Sequence, residues 1–185
     1  MNEKQWLTTT RPHRLLAHLG ATASERKLRL LAVAGCYRIR DRLTDPRWRA
    51  AVAAAERYAD TLCGEEELAA AKNQAAQAVP MGNEGSAVSV CCSVGHWFVP
   101  KQAIAHARAA ARRPMESKAQ ADLVRDIFGN PFRPVRFAPD WRTNTAIALA
   151  KQMYAAREFS AMPILADALQ DAGCDRDDNR RASTS

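Results

Sequence analysis

Apolar residues recur at three- and four-residue spacing along most of this chain, and glycine or proline interrupts the recurrence at short intervals. That pattern predicts a succession of short amphipathic helices. A first element falls around Glu3–Leu7, and a helix from Pro12 to Leu19 stops at Gly20. Proline suits a first turn because its missing N–H has no intrahelical partner there. Ser24 reads as the N-cap of a long helix running to about Leu43, with Glu25 at its positive end. At about 100° per residue, Leu28, Leu31, Ala32, Gly35, Ile39 and Leu43 share one broad face, and Leu30, Val33 and Tyr37 form a second stripe opposite. A helix apolar on two faces is buried between neighbours, so this is the predicted central element. Arg29 and Arg40 are expected to emerge along one seam, Lys27 and Arg38 along the other.

Asp45-Pro46 opens the next helix, to about Leu62, with Trp48, Val52, Ala55, Ala59 and Leu62 on one face. Gly64 breaks it, and Glu65–Val79 reads as an alanine-rich helix opened by three glutamates. Residues 80–85 read as a loop. Ser86–Phe98 suits a buried helix or a strand; helix is preferred, because no second strand exists to pair with it. Further helices are predicted over Pro100–Arg113, Met115–Phe128, Thr143–Arg157 and Met162–Ala172, with Ile147, Ala150 and Tyr154 aligned in the third and Leu165, Leu169 and Ala172 in the fourth. Gly129-Asn130-Pro131 ends the second of these. Between Asn130 and Asp140, Pro131, Pro134 and Pro139 force extended backbone, and the interleaved Phe132, Val135 and Phe137 predict a strap packed down on the protein.

The fold class that follows is all-α: an irregular bundle of about seven to nine helices with an extended proline-rich strap. A single helical domain is expected over residues 1–174, followed by a disordered polar tail over 175–185. Composition agrees, with aromatic residues at only 6% and alanine supplying much of the apolar content, which favours close helix packing over a sheet. No transmembrane run or secretory signal is evident. Five cysteines in irregular spacing, without a signal peptide, point to reduced thiols in a cytoplasmic protein.

The formal charge of +7 is uneven: residues 1–50 carry +7, 51–100 carry −4, 101–139 carry +5 and 140–185 carry −1. Arg26, Lys27, Arg29, Arg38, Arg40 and Arg42 are therefore candidates for polyanion binding, although they surround the central helix rather than forming a stripe. Tyr37 and Trp48 could stack on bases, but their spacing fits core faces better. In the strap, Phe132, Arg133, Arg136 and Phe137 form a candidate partner-binding segment, since an arginine fork matches a carboxylate.

Two stretches carry a resemblance. Ser24-Glu25-Arg26-Lys27-Leu28-Arg29-Leu30-Leu31-Ala32, and Ile127-Phe128-Gly129-Asn130-Pro131-Phe132-Arg133-Pro134-Val135 together with the segment from Pro163 to Cys174, resemble a large paralogous family of uncharacterised planctomycete proteins. Glu56-Arg57-Tyr58-Ala59-Asp60 and Glu66–Ala71 are similar to the same family, and the likeness spans nearly all of the chain except about 80–118. The Phe-Gly-Asn-Pro-Phe-Arg-Pro strap is its most specific part. The resemblance implies no catalytic residue. Family members carry a double cysteine where this chain has Gly35-Cys36, and continue past the position of Cys174 with a His/Cys-containing segment. The resemblance thus implies a shortened or diverged copy.

No catalytic or metal-binding signature emerges. Cys91-Cys92 with His96 is the nearest approach to a metal cluster, but adjacent cysteines diverge on a helix and no second ligand pair exists. Cys36, Cys91 or Cys92 with His96 or His106 would make a thiol nucleophile and base, yet no motif links them. His13 and His18 lack zinc-binding spacing, and no phosphate-binding glycine loop occurs. No cofactor is expected. The leading expectation is a non-enzymatic helical module that binds another protein through a helix groove or the strap, and no membrane. The alternatives are a basic nucleic-acid-associated protein and a thiol- or metal-dependent enzyme.

Overall fold

A computed structural model describes residues 1–20, 23–78, 82–94, 100–111, 115–134 and 137–174. Among them every regular element is helical: α1 Glu3–Thr8, α2 Pro12–Leu19, α3 Glu25–Tyr37, α4 Pro46–Ala59, α5 Glu65–Ala76, α6 Asn83–Cys91, α7 Pro100–Ala111, α8 Glu116–Phe128, α9 Asn144–Ala156 and α10 Met162–Asp171, with one 3-10 turn at Pro139–Trp141. The chain divides into two compact units, Met1–Pro131 and Phe132–Ser185, where one domain to residue 174 was expected. The boundary falls inside the proline strap, whose backbone cannot continue a helix from α8.

In the N-terminal unit the start signals act as predicted. The Ser24 hydroxyl accepts from the Lys27 backbone N–H at 3.3 Å, and Asp45 accepts from Arg47 N–H at 2.8 Å with Pro46 in the first turn. Gly129 closes α8 at φ 71°, a conformation that side chains with a Cβ rarely adopt. α3 packs against α4, α6, α7 and α8 and is the central element. Its Leu31 enters a cluster built from α1, α2, α7 and α8 around Trp6, Leu15, Leu16, Ala121 and Val124. Its Ala32, Val33 and Cys36 enter a second cluster with Trp48, Val52, Leu68, Val88 and Cys91. Apolar surface on two sides is thereby removed from water, the main favourable term in folding.

Several expectations need correction. α3 ends at Tyr37 rather than near Leu43; the chain turns through residues 38–42, which still buries Ile39 and Leu43. The second stripe is only partly sealed, since Val33 is buried, Leu30 half-buried and Tyr37 exposed, its hydroxyl donating to Glu56 at 2.8 Å. Leu62 lies beyond the end of α4, past Thr61 at φ 59°, and is exposed. The expected loop over 80–85 already holds the start of α6, capped by Gly82; its Pro80 and Met81 lie outside the described residues. So do residues 95–98 of the ambiguous segment, Arg112 and Arg113 at the predicted end of α7, and the polar tail.

The C-terminal unit is described over 132–134 and 137–174. α9 starts at the Thr143 hydroxyl, which accepts from Ala146 N–H at 3.2 Å, and α10 has Pro163 in its first turn. The two helices pack through Ala146, Leu169 and Cys174, with Trp141 and Leu165 partly buried beside them. No helix among the described residues is long and apolar enough to cross a membrane.

Candidate functional site

Arg26, Arg29 and Arg38 around α3 are turned to structure. The Arg29 guanidinium is 1% exposed and donates to the carbonyls of Cys91 at 2.9 Å and Ser93 at 2.8 Å, while pairing with Glu25 at 3.0 Å. Its carbon sits 4.8 Å from the centre of the Tyr58 ring. Those two carbonyls lie at the C-terminal end of α6, where the helix dipole is negative and carbonyls lack intrahelical donors. Lys72 adds a second cation there, donating to the Ser93 hydroxyl at 2.9 Å, which in turn donates to the Ser89 carbonyl at 2.9 Å. This Lys–Ser contact resembles an activated nucleophile only in composition. The serine proton is committed to a carbonyl, and the buried hydroxyl faces a hydrogen-bond donor rather than a base.

Three of the remaining members of the candidate polyanion set also have partners within the chain, and among the described residues two do not. Arg26 pairs with Asp60 at 2.5 Å, and Lys27 lies 5.7 Å from the centre of the Phe128 ring. Arg38 makes a two-pronged pair with the buried Glu116, at 2.6 and 2.9 Å, joining the end of α3 to the start of α8. Hydrogen bonding to Glu116 raises the Arg38 pKa above its ordinary value, with burial opposing. Arg40 and Arg42 have no ion-pair partner among the described residues. Beyond them, Arg47 is spent on Asp45 and Arg49 on the Thr44 carbonyl. The expectation that Arg29 emerges along a seam is therefore overturned: α6 ends against it, and its charge is used on the helix terminus.

The thiols are equally committed. Cys36, Cys91 and Cys92 are buried where α3, α4 and α6 meet. A hydrogen bond between Cys91 and Cys36, together with burial, pushes the Cys91 thiol well above its usual value. Burial does the same to Cys92, whose Sγ donates to the Ala51 carbonyl at 3.3 Å. A nucleophilic cysteine needs its thiolate stabilised, and this site does the reverse. His96 lies outside the described residues, and His106 contacts Asn83 at 3.3 Å. Among the described residues no group of three or more His, Cys, Asp or Glu is placed to hold a metal.

The C-terminal unit presents a different surface. Phe132 and Phe137 of the strap are 38% and 43% exposed, and Val135, the third apolar residue expected to pack down, lies outside the described residues; Phe137 leans edge-on against Trp141, with ring centres 5.4 Å apart. Arg133 is exposed, and Arg136 lies outside the described residues. Phe159, Met162 and Ile164 are also exposed. On α9 the buried positions are Ala146 and Met153, while Ile147 and Tyr154, which the sequence spacing aligned with Ala150, are exposed. Both pairs are seven residues apart and differ by one step in register, about 100° around the helix. The usable signal was Lys151, which lies four residues after Ile147 and three before Tyr154 and so shares their side of the helix. These exposed apolar side chains of α9, α10 and the connection between them are the candidate site. Comparison with known proteins adds no identity: no protein-family model, curated protein or solved structure matches the chain.

Proposed function

We propose that this chain is a non-enzymatic helical protein-interaction module that binds through the exposed apolar side chains of α9, α10 and their connection, with the strap's Phe132 and Phe137 in the same C-terminal unit. One observation carries the reading. A unit whose buried apolar residues are Ala146, Met153, Leu169 and Cys174 leaves Ile147, Tyr154, Phe159, Met162 and Ile164 open to water. Concentrated apolar exposure of this kind is what helix-in-groove and helix-on-helix recognition uses. The planctomycete resemblance is compatible with this reading, since its most specific motif is the strap that begins the unit. Polyanion binding is disfavoured, because Arg26, Arg29 and Arg38 are held by acidic or carbonyl partners within the chain.

Co-purification from the native host, comparing the natural chain with Ile147→Ser/Ile164→Ser, tests the proposal. The natural chain is expected to elute with a stoichiometric protein partner, of its own or another kind, and the variant without it. Elution of both as bare monomers would refute the reading.

A further inference from the structure

We draw no further inference here: the strongest candidate, the exposed apolar side chains of α9, α10 and their connection, belongs to the site already described, and nothing in the structure shows what covers it.

Discussion

The two units meet the same requirement, removing helical apolar faces from water, with opposite success. In the N-terminal unit α3 is enclosed by four helices, and even an arginine on it is buried with its donors matched to carbonyls. In the C-terminal unit two helices face one another across Ala146, Leu169 and Cys174, and larger side chains than these stay outside. Two helices have one mutual interface, so a helix with apolar residues on several sides can cover only one of them. Enclosure, rather than hydrophobicity, separates the units: Ile147 and Leu31 are similar side chains with opposite fates.

Substitutions should sharpen this contrast in graded steps. The largest loss is expected where enclosure is complete. Arg29→Met leaves the Cys91 and Ser93 carbonyls buried without their donor and should cost about 3 kcal/mol in chemical denaturation. Leu31→Ala removes a side chain with no exposed surface and should also cost about 3 kcal/mol through the cavity it leaves. A loss below about 1 kcal/mol at either site would mean that α3 is not enclosed as described. Ser24→Ala, which deletes the cap of the same helix, should cost about 1 kcal/mol. By contrast, Ile164→Ser on the open face should change monomer stability by no more than about 0.5 kcal/mol while abolishing association. Strong destabilisation there would show that the face is already covered within the chain.

Acid offers a milder comparison, with one carboxyl in each unit. The Arg47 side chain and then its backbone N–H hold Asp45 below the ordinary carboxylate range, and the backbone and then side-chain bonds of Ser160 do the same for Glu158. A depressed folded value means that the contribution is fully present above the unfolded carboxylate pKa and lost as pH falls through the lower folded one. Unfolding midpoints should therefore decline over the acid range below the usual carboxylate pKa, and Asp45→Asn should flatten that decline. An unchanged slope in the variant would remove Asp45 from the account.

Much of the helical order was legible because its signals are local. Ser24, Asp45-Pro46 and Gly129 each satisfy or terminate a backbone within a few residues, and the α2 boundaries, Pro12 and Leu19, agree with the sequence reading. Failures appear where periodicity outlasts the helix: Ile39 and Leu43 continue the apolar spacing of α3, and they are buried, but on turns rather than on helix. Of the candidate site, the strap's residues were flagged and their exposure was not. The line of Ile147 and Tyr154 was recognised as aligned, and its exposure was not. Period alone shows that a helix has an apolar stripe, but α9 has two, and period does not choose between them.

By itself the sequence determined the all-helical class, the caps and breaks, and the central position of the segment after Ser24, since each follows from backbone hydrogen bonding and from apolar area on two sides of one helix. Only the tertiary structure decided that Arg29 would serve the end of α6, that Cys36 and Cys91 would be buried in one cluster, and that α9 would turn Ile147 outward. Those outcomes depend on residues far apart in the chain, such as Arg29 and Cys91, 62 positions apart, whose meeting is a property of helix packing and not of any local signal.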